Sequence, residues 1–308
     1  MNQSYWPGNR LKRFGALAII VLLTVPALAA LLDRVEFTVP KDRENRFEGT
    51  FDIALGNVTV GQAEAGQLFQ AVVDLQDDRL RPEMNVVRED RVARVKLGLD
   101  SEANTSVSWS SFRGRSKNSW ALYFARDIPL DLTFDLGLAE ADLDLTGFRV
   151  ENLSIKAGMA TARLAFDERN RIVMSHLQVD AGAARFNAEN LGNARFEQMT
   201  FRGGAGSFTL DFGGAALPAG ARADIDVGVS RLRILLPEDK AVVLSAPDSW
   251  LTRVDVPNGY TRASRGVWHS ASVSDPETAF HINVSAGVGR VTCETVARTE
   301  PPPRRPRR

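Results

Sequence analysis

Apolar and polar positions alternate along most of this chain, and between residues 132 and 235 the alternation repeats around a glycine. The glycines are Gly137, Gly158, Gly182, Gly204 and Gly228, spaced 21 to 24 residues apart, with a further copy centred on Gly287. Five residues before each stands an apolar side chain (Leu132, Leu153, Leu177, Met199, Ala223, Ile282), and three before stands another (Phe134, Ile155, Val179, Phe201, Ile225, Val284). Four residues after come Ala141, Ala162, Phe186, Phe208, Leu232 and Val291, and six after come Leu143, Leu164, Ala188, Leu210, Ile234 and Cys293. Polar residues hold the intervening places: Asp135, Lys156, Asp180, Arg202, Asp226 and Ser285 two before the glycine, and Asp142, Arg163, Asn187, Thr209, Arg233 and Thr292 five after it.

Such alternation marks strands with one buried face. The slots three before and four after the glycine are an odd number of residues apart, so an unbroken strand would turn its second apolar set outward. Each repeat is therefore expected to be two short strands joined by a turn or bulge at the glycine, which reaches positive φ at little steric cost. A unit of about 22 residues cannot bury its own apolar face, whereas stacked units share a continuous core. The predicted fold class is all-β: a β-solenoid-like stack of Gly-centred repeats, of the single-stranded right-handed β-helix type, with successive phrases parallel and one rung apart. An antiparallel β-sandwich with Gly-rich turns is the competing reading.

Around this block the chain divides into residues 35–130, a β region of degenerate repeats or a cap; 131–220, the repeats; 221–296, a C-terminal β region; and 297–308, a tail. In the first, Phe51, Ile53 and Leu55, residues 69–75, 92–99 and 107–112 read as strands. The phrases at Gly56 and Gly98 echo the repeat, with Ile53 and Val95 three before the glycine. Trp109, Trp120 and Tyr123 are expected to cover the open end of the stack. In the third, residues 223–236 form a strand, and Trp250, Val254, Val256 and the turn Pro257, Asn258, Gly259 suggest a hairpin. The tail, with Pro301 to Pro303 and four terminal arginines, has no apolar material to fold.

Residues 14–32 hold 19 positions without a charge, preceded by Arg10, Lys12 and Arg13 and followed by Asp33 and Arg34. A run of that length can span a bilayer, and the flanking charges keep the N-terminus in the cytoplasm. An uncleaved, single-pass anchor in the cytoplasmic membrane is the reading taken. Pro26, Ala27, Leu28, Ala29 also fit a signal-peptide cleavage site, and either reading puts the β region outside the cytoplasm.

Candidate chemistry is sparse. Thirty-eight basic and 38 acidic residues cancel, which gives no electrostatic reason to expect nucleic acid. The single cysteine, Cys293, sits in an inward slot, where a free thiol behaves as a small hydrophobe. His176, His269 and His281 stand in no metal-ligand spacing, and the zinc-protease, phosphate-loop and nucleophile-elbow motifs are missing. Gly203 to Gly206 lies inside a β repeat with no helix after it. Asp135, Glu140, Asp142 and Asp144 form the one acidic cluster, a Ca²⁺ candidate that reads more simply as a wet strand face. Arg304, Arg305, Arg307 and Arg308 could meet anionic lipid or wall polymer. No catalytic, cofactor-binding or metal residue is assigned, no cofactor is expected, and the chain is not expected to be an enzyme.

Residues 130–147 (LDLTFDLGLAEADLDLTG), 191–212 (LGNARFEQMTFRGGAGSFTLDF) and 280–291 (FHINVSAGVGRV) resemble the toast-rack domain. The stretch from Ile225 through Pro237 and Glu238, with Trp268, is similar to the extracytoplasmic domain of LiaF-type envelope-stress proteins. The resemblance spans roughly residues 80–296. It implies a β-solenoid-like domain on the outer face of a bacterial cytoplasmic membrane, tied in some relatives to regulation of an envelope-stress histidine kinase. The function expected is a non-catalytic, membrane-tethered interaction or sensor module, with that kinase, another membrane protein or an anionic wall polymer as partner. The alternative is an envelope carbohydrate-binding or carbohydrate-active β-helix protein.

Overall fold

The computed structural model describes residues 34–77, 80–100, 118–214, 216–247 and 251–297. The run at 14–32, the strand expected at 107–112, Trp109, Trp250 and the arginine tail lie outside them. The strands are β1 (Arg34–Pro40), β2 (Arg46–Gln62), β3 (Gln67–Asp74), β4 (Pro82–Glu89), β5 (Val92–Leu99), β6 (Ser119–Phe124), β7 (Leu130–Asp144), β8 (Val150–Ala157) and β9 (Thr161–Ala165). They continue with β10 (Met174–Glu189), β11 (Phe196–Asp211), β12 (Arg222–Pro237), β13 (Val242–Ser245), β14 (Thr252–Asp255), β15 (Tyr260–Ser264), β16 (Val267–Ser270) and β17 (Phe280–Val296). Among the described residues the only helix is α1, the single turn Leu191–Ala194.

The repeats stack in parallel, as the pattern requires. β7 pairs with β8 and β9, these with β10, then β10 with β11, β11 with β12 and β12 with β17, each ladder matching equivalent repeat positions. The register shows what happens at the glycine. Ala181 pairs with Gly203 and Ala183 with Ala205, leaving Gly182 and Gly204 out of the ladder; Gly204 and Gly228, then Gly228 and Gly287, are left out in the same way. Two consecutive residues, the glycine and the one after it, therefore face outward. That restores an inward-facing set after the odd spacing without ending the strand.

Two expectations are corrected here. Only the Gly158 repeat is split into two strands; the others are single strands of 15 to 17 residues bent at the glycine. The repeat glycines also do not take positive φ. Positive φ falls two residues later, at Gly206 (+158°) and Gly289 (+144°). What fixes the repeat glycine is close stacking. A Cβ on Gly137 would lie 2.4 Å from the Ala54 carbonyl oxygen. One on Gly182 would lie 2.9 Å from that of Gly158, on Gly204 2.8 Å from that of Gly182, and on Gly287 3.0 Å from that of Gly228. Side chains cannot approach a backbone so closely, and glycine alone lets the bends nest.

The bend folds each strand into two arms whose inner faces meet. All 24 apolar slots are buried. Phe201 on the first arm of β11 meets Phe208 on the second edge-on, with ring centroids 5.2 Å apart and planes at 68°. Such a pair contributes about 0.5–1.5 kcal/mol beyond its burial. Gly203 makes room for it, since a Cβ there would stand 2.5 Å from the Phe208 ring. Behind the arms, Asn170 ties the return segments together. Its amide donates to the Val150 and Ala194 carbonyls at 2.7 and 3.1 Å, and its Oδ1 accepts from the Val150 amide at 3.1 Å.

At the N-terminal end the rung order departs from the sequence order. β2 lies between β7 on one side and β5 with β6 on the other, all parallel. Phe51 pairs with Phe134, so the corner residue of β2 is Ala54, and Phe51 rather than Ile53 fills the slot three before it. Phe51 in turn pairs with Leu97, which shifts the Gly98 echo by two residues as well. Antiparallel strands close this end: β4 on β5 through a turn with Asp90 and Arg91 at φ 50° and 63°, and β3 on β6 with β1 beyond it. Trp120 does not cover the end; it is buried in an inward place of β6, its indole donating to the Leu55 carbonyl at 3.2 Å.

At the C-terminal end β17 pairs in parallel with β13 and β14. The turn at Pro257, Asn258, Gly259 does not make a hairpin of β14 and β15: β14 pairs with the second arm of β17. The hairpin is instead β15 with β16, which pairs with β13. Val254 packs against the core from β14, extending the stack by one rung.

Candidate functional site

Nesting the bends produces a surface feature. With no side chain at the glycine column, a shallow groove of about 620 Å³ runs across the rungs, lined by residues 135–137, 156–158, 180–182 and 202–204 together with Asp226 and Gly228. Its floor is backbone. One wall is the row two before the glycine, which alternates in sign: Asp135, Lys156, Asp180, Arg202, Asp226. Neighbouring parallel strands lie about 4.8 Å apart, so charges of one sign recur roughly every 10 Å. Arg202 and Asp180 pair across two rungs at 3.4 Å.

The second arm is held on its outside by rung-to-rung ion pairs. Arg163 donates to Asp142 at 2.9 Å and to Glu189 at 2.6 Å, and the Glu189 bond is the main reason its guanidinium pKa is raised. Arg233 grips Glu294 with two bonds, 3.0 and 2.6 Å, which lowers the pKa of that carboxyl. Exposed pairs of this kind add about 0–1 kcal/mol each.

The residues singled out in the sequence do not converge. His176 is exposed on β10, His269 half-buried on β16, and His281 on β17 has its Nε2 2.8 Å from the Pro276 carbonyl. Cys293 is buried, and burial, helped by the charge of Asp255, pushes its thiol pKa up to about 12, the reverse of an activated nucleophile. Asp135 lies on the groove wall, while Glu140, Asp142 and Asp144 follow beyond the bend. Asp142 is engaged by Arg163, and Asp144 Oδ1 accepts from the Thr146 amide at 3.0 Å. Among the described residues no three His, Cys, Asp or Glu side chains are grouped to hold a metal ion. Tyr123 is half-buried, and Trp268 lies 5.5 Å from the Arg262 guanidinium on the C-terminal hairpin, away from the groove. Among the described residues no helix is long and apolar enough to cross a membrane.

One row was missed. The residue after each glycine is apolar in all six repeats (Leu138, Met159, Ala183, Ala205, Val229, Val288), a signal present in the sequence but hidden by the expectation that alternation resumes at once.

Residues 32–173 match the family described as the N-terminal domain of toast_rack, DUF2154. That match starts earlier than the resemblance in the sequence and ends before β10. No curated protein matches the chain. A solved structure described as "a putative cell adhesion protein" from Clostridium sporogenes is 14% identical and covers 86% of this chain and 100% of its own, with a TM-score of 0.46. One described as "a putative adhesin" from Bacteroides fragilis is 13% identical, covering 86% and 98%, with a TM-score of 0.36. Another from Parabacteroides merdae is 12% identical, covering 88% and 96%, with a TM-score of 0.31.

Proposed function

We propose, for a chain whose residues 32–173 match the toast-rack N-terminal domain family, that it is a non-catalytic contact module held outside the cytoplasm on a membrane anchor at residues 14–32. The observation that carries this reading is the groove. Its floor is backbone and its wall alternates acid and base over five rungs, with no serine, histidine or thiol facing it. An enzyme needs groups that converge on a reacting atom; a binding surface needs rows that align with a partner. A partner with alternating charge, such as the outer segment of a membrane protein, fits that wall, and an envelope-stress sensor kinase is the partner the LiaF-type resemblance suggests. The carbohydrate alternative gains no support from the groove, which no tryptophan or tyrosine lines. Two measurements test the proposal. Reporter fusions after Asp33 and at the C-terminus should both report an external location. Cells keeping residues 1–33 but lacking 34–308 should show the full loss-of-function phenotype. A cytoplasmic C-terminus, or function retained by the anchor alone, overturns the reading.

A further inference from the structure

Beside the groove, one residue past the glycine column, runs an apolar row. Of the six large hydrophobic residues exposed among those described, three stand one past the corner glycines, Met159 (49% exposed), Val229 (62%) and Val288 (43%), and a fourth, Leu251 (42%), lies in line with Val288. Ala183 and Ala205 continue the row between them, because Ala183 pairs with Ala205, Ala205 with Val229, and Val229 with Val288. Leu251 extends it on the last rung, its carbonyl accepting the Gly289 amide at 3.2 Å. At about 4.8 Å per rung the row is straight and roughly 24 Å long.

Two residues further along each strand, on the same outward face, stand Arg185, Ser207, Arg231, Arg290 and Arg253. Arg231 pairs in register with Arg290, and Arg290 with Arg253. No carboxylate interrupts this row from β10 onward; Glu140 belongs to its far end. The acids facing the ridge are Asp255, which holds Arg253 at 2.8 Å and lies 3.9 Å from Arg290, and on the groove side Asp226 and the Asp180 already paired with Arg202. Arg185 and Arg231 have no ion-pair partner among the described residues. The ridge is thus aliphatic along its crest and basic along one flank.

A row of exposed aliphatic side chains marks a contact surface. This one runs along the outside of a bend, convex and rigid, so it presents no pocket. A soft apolar partner suits it better than a folded one. We propose that the ridge lies in the interfacial layer of an anionic phospholipid bilayer, with Met159, Val229, Val288 and Leu251 among the acyl-chain ends and Arg185, Arg231, Arg290 and Arg253 at the level of the phosphates. The inference stands apart from the anchor and from any protein bound in the groove. It lays the stack axis flat on the membrane.

The test uses the full chain with an environment-sensitive fluorophore on Val229→Cys, the buried Cys293 staying unlabelled. The protein is combined with phosphatidylcholine vesicles carrying quencher-tagged lipid, with or without about a third phosphatidylglycerol. An Asn283→Cys label on the other arm serves as the depth control. Quenching at residue 229 but not at 283, stronger with the anionic lipid and cut on the order of tenfold or more by R231E together with R290E, is the expected result. Equal exposure of both labels overturns the proposal, as does quenching indifferent to lipid charge and to the arginine changes. So does a label that responds to soluble polyphosphate but not to vesicles, or that contacts only the label of a second copy.

Discussion

A Cβ placed on Gly228 would stand 2.8 Å from the carbonyl oxygen of Gly204, one rung away. The same relation repeats from Gly137 to Gly287, so the column is a packing surface built from backbone on the outside of the molecule. Gly228→Ala is expected to lose about 1–3 kcal/mol although the site is solvent-exposed, because the obstacle is a main-chain carbonyl that cannot move without shifting its rung. Gly289→Ala should cost more, since the Cβ would meet the Ser230 carbonyl oxygen at 1.9 Å and φ is +144°. Denaturant unfolding of both, against the neighbouring Ala205→Ser, checks the order.

The facing of the arms gives a second contrast. Phe208→Asp places a carboxylate among the rings of Phe201 and its neighbours and should cost several kcal/mol, while Thr209→Asp turns half outward and should cost under about 1 kcal/mol. Arg163→Asp is a special outward case. It sets a third carboxylate beside Asp142 and Glu189, and a loss of about 1 kcal/mol is expected from thermal melting.

Asn170→Leu should be more costly than most surface changes, roughly 2–4 kcal/mol, because it strips partners from the buried Val150 N–H and from the Val150 and Ala194 carbonyls together. Thermal unfolding of this variant beside Asn187→Leu, which lies on an outward position, separates the lost bonds from the change of side chain.

The Cys293 thiol supplies a pH prediction. Its folded pKa, about 12, is raised above the ordinary value of 9.0 because burial disfavours the thiolate. The folded state therefore keeps a proton that the unfolded state has released, and this stabilisation is fully present below about pH 9 and is lost as pH rises toward 12. The slope is at most about 1.4 kcal/mol per pH unit. Cys293→Ala should remove that component of the alkaline loss. An alkylating reagent at pH 8 should label the native protein only at the rate of unfolding.

How much of this was legible in the sequence follows from which interactions are local. Phe201 and Phe208 could be assigned inward because each sits in an alternating run, and all equivalent positions are buried. The corner was legible as a glycine but not as a shape. An odd spacing is satisfied equally by a broken strand or by two successive outward residues such as Gly204 and Ala205, and only the clash between rungs selects the second. Ala54 was invisible as a corner because it is not glycine, and Gly56 drew the phrase two residues off. The place of β2 depends on Phe51 meeting Phe134 across a long insertion, a pairing that no local pattern encodes. The groove follows from the glycine column, so its charged wall could be named from the sequence; the apolar row through Val229 is written there too, but its exposure follows only from the two successive outward residues at the bend.

Work by contact, proposed above, and work by a chemical site differ in what single side chains should do. The most direct measurement is the cellular phenotype of single alanine changes at His176, His269, His281, Cys293, Asp135 and Asp142, each checked for folding and abundance, beside one variant in which the groove wall is reversed at Lys156, Arg202 and Asp226 together. If the stack works by contact, all six single variants keep nearly full function and the reversed wall loses it. One alanine variant that is folded, normally abundant and inactive, with the reversed wall still functional, would contradict it.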